Sequence, residues 1–514
     1  AAAQLPRRGH AVRLLAAPER GKRQGPSGGG RGRAAGGRGG PPRRPGKAWE
    51  GVPIMEPEKF AKDDQVQLPP ALRPQQAPRQ ARAAGPAPAL RGQPRAAGPA
   101  PAVQTQPRQE ASRASPWLGT AGAKATEAAV LAGMPKLNLY ELSQEELEAW
   151  VVDERGRPRF WAEALWKWLY KKGAQSFEEM RGRGVPRTFT DELDRVACIG
   201  APDWTVLAER RSKDGTVKRA YGVPGGHAIE SVLMLYDDGR RTACISSQVG
   251  CAMGCVFCAT GQMGFKRHLS ATEIFEQAAR YSALLQRDGQ RLSSVVLLGM
   301  GEPLANYDNV VAAMRRVHDQ LGVGWRRITI STVGLAPQIV RLADEGMPVT
   351  LAISLHAATD EERSALLPAN KQYDIATVME AARYYRATTG RRVSFEWTLI
   401  EGTNDDEATA DRLGRLLAEK APSGSHLNLI PLNPTKGFED GRATQFQASR
   451  RFVDVVARYG VEATVRVRRG IDIDAGCGQL AERAAEEYAA TAAEALTGAG
   501  GEALAAVAEP LLLP

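Results

Sequence analysis

Six cysteines occur in 514 residues, and four of them, Cys244, Cys251, Cys255 and Cys258, fall within a stretch of fifteen. The last three are spaced C-x3-C-x2-C among glycines at 250, 254, 261 and 264, a loop tight enough to wrap a compact inorganic core. Two metals compete for it. A structural zinc site takes four ligands, usually as two pairs separated by about a dozen residues or more. Cys255 and Cys258 form one such pair, and the other would come from Cys244, Cys251, His268 or Cys477. An iron–sulfur cubane takes one thiolate per iron. Three thiolates on one short loop leave the fourth iron open to bind something else.

Phe257, just before the last cysteine, can shield such a core from water. The pattern C-x3-C-x-aromatic-C resembles the radical S-adenosylmethionine (SAM) signature, which implies that the open iron chelates the amino and carboxylate groups of SAM. Further candidate contacts follow later strands. In Gly299-Met-Gly301-Glu302-Pro303, glycines at a strand end let backbone approach a ligand closely, and Glu302 can accept from an ammonium. Ser331-Thr-Val-Gly334 and Ser354-Leu355-His356 place hydroxyls where they can bond the ribose or carboxylate of SAM, or simply cap helices. Asn433 carries an amide suited to the adenine or ribose.

The elements that must position these groups are legible as an alternation. Candidate strands are 242–246, 294–298, 327–331, 350–354, 393–399, 427–430 and 464–467, with helices near 270–287, 307–321, 335–344, 374–389, 406–419 and 445–459. Strand–helix alternation at this spacing implies a parallel sheet, here an incomplete (β/α)6 barrel whose active-site residues follow the strand ends. Ahead of this core, at 237–480, a β linker at 201–236 contains three short strands and turns at Lys213-Asp-Gly and Asp237-Asp-Gly. Residues 134–200 read as a small helical domain. Ser143 and Glu146 form a capping box, and Phe160-Trp161, Leu165-Trp166 and Trp168-Leu169 recur at helical spacing, aromatics expected in a core rather than on a base-stacking surface. An Ala/Glu-rich tail from Ala481 reads as a surface helix.

Residues 1–133 hold 19 Gly and 19 Pro, a composition that buries no core, and are expected to be disordered. Their Arg-rich, acid-poor start fits an organelle transit peptide or translated upstream sequence with Met134 as the true start. This tract also carries the basicity: 22 Lys and Arg against 8 Asp and Glu, whereas the remainder holds 46 against 50. The overall charge of +10 is therefore no evidence that the folded part binds nucleic acid. No apolar run approaches the roughly 18 residues that span a bilayer. Cysteines gathered in one motif argue for a reducing compartment rather than a disulfide scaffold.

Across 134–480 the chain resembles the RlmN adenosine methyltransferases of RNA, with the Cfr enzymes as sister group. The resemblance rests on Ser246-Ser-Gln-Val-Gly-Cys251, Gly299-Met-Gly-Glu-Pro303, Ile353-Ser-Leu-His-Ala357, Asn428-Leu-Ile-Pro-Leu-Asn-Pro434 and Asp472-Ile-Asp-Ala-Gly-Cys477-Gly-Gln-Leu480. It implies that Cys251, Cys255 and Cys258 bind a [4Fe-4S] cluster and that Gly301, Glu302, Ser331, Ser354, Leu355, His356 and Asn433 bind SAM. It also implies that Cys477 carries the methyl group, with Cys244 as its disulfide partner and Glu230 as proton acceptor.

The family chemistry explains this equipment. Carbon 2 of adenine is electron-poor and does not attack the methyl of SAM as a nucleophile, so a thiolate takes the methyl first and a radical route joins it to the ring. The base must leave its stack to enter such a pocket. The resemblance implies substrates in large-subunit rRNA and next to the tRNA anticodon, a flavodoxin or ferredoxin as electron donor, a monomer, and a cytoplasmic location, or an organelle if the first residues are a transit peptide. Candidate phosphate contacts are Arg466, Arg468 and Arg469, Lys266 and Arg267, and Arg391 and Arg392; a solvated surface explains each equally well. The competing readings are a Cfr-like adenosine C8 methyltransferase, separable by mass spectrometry of the product, and a zinc-stabilised RNA-binding protein, which would be colourless where a cluster protein is brown.

Overall fold

A computed structural model describes residues 135–473, except 434, 436, 439 and 440. The expected disordered extension, the tail from Ala481 and Cys477 lie outside the described residues.

The chain enters through a helical domain with helices α1 (Gln144–Ala149), α2 (Arg159–Lys171) and α3 (Arg187–Val196). The capping box forms as read: Ser143 Oγ accepts from the Glu146 amide at 3.1 Å and Glu146 Oε2 accepts from the Ser143 amide at 2.7 Å. Two residues at each end, Leu137–Asn138 and Ala197–Cys198, pair in parallel and close the domain on itself. Trp150, Leu165, Leu169, Tyr170, Phe189 and Leu193 fill its interior, while Trp161, Trp166 and Trp168 are half-buried. Phe160 departs from the expected core role, being 60% exposed.

The main sheet has ten strands: β1 (Thr205–Arg211), β2 (Val217–Val223), β3 (His227–Leu235), β4 (Arg241–Cys244), β5 (Ser294–Leu297), β6 (Ile328–Thr332), β7 (Thr350–Ser354), β8 (Val393–Leu399), β9 (His426–Pro431) and β10 (Glu462–Val465). They lie side by side in chain order. From β4 to β10 every pairing is parallel, whereas β1 to β4 pair antiparallel. Six crossover helices link the parallel strands: α4 (Ala271–Arg287), α5 (Tyr307–Asp319), α6 (Ala336–Asp344), α7 (Ile375–Thr389), α8 (Glu407–Lys420) and α9 (Phe446–Ala457). The expected incomplete (β/α)6 barrel is present, extended by a seventh parallel strand.

Residues 201–236, read as a linker, instead supply the antiparallel wing of this same sheet, with β3 paired to β4 in register Val232 to Cys244. The turns were placed correctly, but short alternating strands carry no information about which edge they will join.

β1 and β10 do not hydrogen-bond to one another, yet the sheet ends are clasped by the segment after β10. Arg469 Nη1 donates to the Leu235 carbonyl at 3.1 Å, the Gly470 amide to Asp214 Oδ2 at 3.1 Å, and Asp472 accepts from Ser212 Oγ at 2.5 Å and the Lys213 amide at 3.2 Å. The helical domain is fixed to the outside of the barrel through Glu276 of α4. Its carboxylate receives Asn138 Nδ2 at 3.3 Å, the Ala201 amide at 2.9 Å and Arg280 Nη2 at 2.6 Å. Among the described residues no helix is long and apolar enough to cross a membrane.

Candidate active site

The cysteine loop leaves the sheet just after β4 and is pinched at its base. Gln248–Gly250 pairs antiparallel with Phe265–His268, and the Cys251 amide donates to the Gly264 carbonyl at 3.1 Å. Gly250 has φ +71°, and a Cβ there would collide with the Gly264 carbonyl oxygen, so glycine is required. Within the loop a one-turn helix, Ala259–Gln262, begins directly after Cys258, an element the glycine-rich sequence did not announce.

Cys251, Cys255 and Cys258 all line one cavity of about 340 Å³ at the C-terminal ends of the strands. Burial and the neighbouring thiols push Cys251 and Cys255 upward, so they stay protonated unless a metal or a cation draws off the proton. The three sulfurs surround a space, and among the described residues no group of three metal-type side chains converges on a point where a single ion would sit. An all-sulfur donor set around a cavity suits an iron–sulfur core, and the residues fit one.

The same cavity collects Gly301, Glu302, Ser331, Ser354, His356, Asn433, Glu230 and Cys244. Gly299 and Gly301 allow close contact: a Cβ on Gly299 would stand 2.6 Å from the Ile245 carbonyl oxygen, and one on Gly301 2.5 Å from Gln248 Cβ. Glu302 is buried and bonded on both oxygens, Oε1 to the Leu304 amide at 3.0 Å and Oε2 to the Val333 amide at 2.8 Å. Burial raises its pKa to about 7 against the pull of these amides. With the Thr332 hydroxyl also bonded to it, the carboxylate still has lone-pair capacity for an incoming ammonium.

His356 has φ 59°, the one non-glycine residue with positive φ among those described, a strained backbone of the kind that gathers at functional sites. Its Nδ1 accepts the Thr398 amide at 2.9 Å, which assigns the ring proton to Nε2. Burial and the Arg363 charge lower its pKa to about 3, so the ring is neutral, and Phe257 packs edge-on against it with centroids 4.9 Å apart. Leu355 does not line the cavity; its side chain is buried in the core and its amide bonds to the Glu396 carbonyl.

Glu230, on β3, forms an ion pair with Lys218 of β2 at 3.0 Å. Cys244, at the end of β4, is a free thiol, pushed upward by burial and drawn down by Arg466.

Three residues were missed from the sequence. Lys218 is one. Glu396, on β8, lines the cavity with its carboxyl raised by burial, and it accepts from Ser394 Oγ at 2.8 Å and Asn428 Nδ2 at 2.6 Å. The signal was available, since Ser394, Glu396 and Thr398 alternate along an otherwise apolar strand. Ser246 is a buried hub, accepting from the Met300 amide at 2.9 Å and donating to the Glu230 carbonyl at 2.6 Å.

The candidate phosphate contacts divide. Arg267 is held by Glu273 at 2.8 and 2.9 Å, Arg391 bonds to Thr350 Oγ1, Arg392 lies 3.6 Å from Glu462, and Arg469 serves the clasp. Arg466 and Arg468 line the cavity, as does Arg469 from its place in the clasp, and Lys266 is exposed.

The model of the Radical SAM superfamily matches residues 245–413, and that of the ribosomal RNA large subunit methyltransferase N-terminal domain matches 137–199. The chain is 46% identical over 347 residues to dual-specificity RNA methyltransferase RlmN 1 of Myxococcus xanthus, covering 67% of this chain and 94% of the relative. It is 44% identical over 359 residues to the probable RlmN of Chloroflexus aurantiacus, covering 67% and 92%. Among solved structures, a radical SAM methyltransferase from Sphaerobacter thermophilus superposes with a TM-score of 0.61 at 41% identity, covering 67% of this chain and 98% of that one.

Proposed function

Because the chain belongs to the RlmN family of radical SAM dual-specificity RNA methyltransferases, whose cofactors are a [4Fe-4S] cluster and SAM, we propose that it methylates C2 of adenosine in rRNA and tRNA through a methyl-cysteine. The observation that carries this reading is the convergence on one cavity of the three loop thiols, the Glu302 and His356 wall, and the Glu230 and Cys244 pair. When bound, the cluster and SAM supply the methyl group and a 5′-deoxyadenosyl radical.

The protein's own part is positional. Cys251, Cys255 and Cys258 hold the cluster from the pinched loop. Glu302 accepts the amino group of SAM, His356 offers its Nε2 proton to the ribose or carboxylate, Ser331 and Ser354 offer hydroxyls, Gly301 lets backbone approach, and Asn433 meets the nucleoside; Leu355 contributes through its backbone. Cys477, the thiolate nucleophile, accepts the methyl on sulfur. Once that methyl has lost a hydrogen atom and joined C2, Glu230 takes the C2 proton. One electron, equal to the one the external donor supplies, leaves the adduct with that proton. The Cys244 thiolate then attacks the Cys477 sulfur, the sulfur–sulfur bond forming as the carbon–sulfur bond breaks, and the released CH2 carbon takes a proton to become the methyl group on C2. An external flavodoxin- or ferredoxin-type donor supplies the electron. Arg466 and Arg468, at the cavity, are placed to meet the RNA backbone.

Incubating the reconstituted enzyme with rRNA and tRNA fragments and resolving the nucleosides by mass spectrometry tests this directly. 2-Methyladenosine is expected; 8-methyladenosine, or no methyladenosine from a protein with a full cluster, would sink the reading.

A further inference from the structure

Arg363 is fully buried and lines no part of the cavity. It sits on a short helix, Asp360–Leu366, that follows β7. Its Nε donates to the Leu355 carbonyl at 3.2 Å, Nη1 to Asn370 Oδ1 at 2.7 Å and the Tyr373 carbonyl at 3.2 Å, and Nη2 to the Val333 carbonyl at 2.5 Å and the Ser354 carbonyl at 3.1 Å. All five donors are used, and every acceptor is neutral.

Among the described residues no carboxylate pairs with this guanidinium. The two aspartates whose charge it feels, Asp360 and Asp374, are committed elsewhere: Asp360 Oδ1 accepts the Ile375 amide and Asp374 Oδ1 the Thr377 amide, both at 2.8 Å. Burial lowers the guanidinium to about 10, which leaves it cationic at neutral pH. A charge removed from water with no carboxylate in contact is strongly disfavoured, so a closer negative partner is missing.

The cysteine loop rests on this segment. The Val256 amide donates to the Leu366 carbonyl at 3.2 Å, and a Cβ on Gly254 would stand 3.6 Å from Pro368 Cγ. Phe257 packs on the ring of His356, and Arg363 grips the two carbonyls immediately before that histidine.

We propose that Arg363 is the buried counter-charge of the iron–sulfur cluster, stabilising the thiolate-bound cluster and most of all its one-electron-reduced form. The proposal rests on Cys251, Cys255 and Cys258 being the cluster ligands. One electron enters from an external reductant, no bond forms or breaks, and the cluster gains one negative charge in a poorly screened site. A fixed cation there makes reduction easier, so Arg363 is a positioning residue for the electron rather than a catalytic one.

The test is a dithionite titration of the reconstituted full chain with redox mediators, followed by electron paramagnetic resonance, at matched iron and sulfide content. Arg363→Gln is expected to shift the reduction equilibrium at least tenfold toward the oxidised cluster, 59 mV for one electron. Arg363→Lys, which keeps the charge and loses most of the hydrogen bonds, should move it less than threefold. Equal shifts in both variants would make Arg363 a structural staple of the strand ends, and an unshifted Gln variant would equally overturn the proposal. If Arg363→Gln fails to fold, Asn370→Asp decides, because it sets a carboxylate against Nη1 where the amide oxygen now sits. A potential there within threefold of wild type refutes the counter-charge. Failure of the ligand assignment is separately visible, as full iron content in Cys251→Ala, Cys255→Ala or Cys258→Ala.

Discussion

Lys218 Nζ lies 3.0 Å from Glu230 Oε1 inside the barrel, with side-chain exposures of 0% and 3%. A buried ion pair is costly to break from either side, because the remaining charge keeps its desolvation penalty and loses its partner. Lys218→Met should therefore destabilise the protein by about 3–5 kcal/mol. Lys218→Met combined with Glu230→Gln should cost much less than the two single changes together, since both charges leave at once. Urea unfolding of the four proteins checks this; additive losses would mean that the pair is not coupled.

Any one of Cys251→Ala, Cys255→Ala and Cys258→Ala should lower bound iron and abolish reductive cleavage of SAM. Chromatography of 5′-deoxyadenosine is the measurement, and retained product in any of the three removes that residue from the ligand set.

Cys244→Ala should stall after the carbon–carbon bond has formed, leaving RNA joined to Cys477 through a methylene thioether. The expected sign is a protein–RNA band that survives denaturation and reduction and is absent from the Cys244→Ala, Cys477→Ala double variant. Normal turnover by Cys244→Ala would reassign the resolving thiol.

Glu302 gives a pH signature in the SAM-free protein. Its carboxyl is raised to about 7 in the folded chain from 4.5, so between those values the folded state binds more protons than the unfolded state, and stability falls as pH rises. Glu302→Gln should remove that slope, worth about 3 kcal/mol across the window at 1.36 kcal/mol per unit. His356 acts in the opposite sense. Held near 3 instead of 6.5, it contributes stability that is lost as pH falls below about 6.5. Denaturant midpoints of wild type and Glu302→Gln from pH 4.5 to 7.5 should diverge toward high pH; parallel curves would refute the raised carboxyl.

A chain beginning at Met134 should keep kcat/KM on RNA within about tenfold of the full chain, roughly 1.4 kcal/mol, because residues 1–133 lack the composition to bury a core. A larger loss in a folded protein would place part of the RNA site in that tract.

The helical domain and the parallel strands were legible because each buried element carries its own period or its own cap. Ser143 with Glu146 and the run from Val393 to Leu399 are examples, and the cluster loop announced itself by spacing alone. The antiparallel wing was not legible as part of the barrel: Val232 and Cys244 pair across a short turn, and the strand pattern does not say whether such a hairpin stays separate or continues into the parallel sheet. Lys218 and Arg363 were invisible for a related reason. A basic residue on a strand or a short helix reads as surface until its acceptors, Glu230 in one case and five carbonyl groups in the other, are brought around it from elsewhere in the chain.

The clasp that ties Asp472 to Ser212 and Lys213 also fixes the root of a leash. Cys477 follows Asp472 by five residues, and five extended residues reach roughly 18 Å at most. On the proposed reading the methyl-bearing sulfur is thus a tethered reagent, delivered at millimolar or higher effective concentration to a cavity whose wall holds the leash. Lengthening the chain between Asp472 and Cys477 would dilute that sulfur without altering a single contact in the barrel.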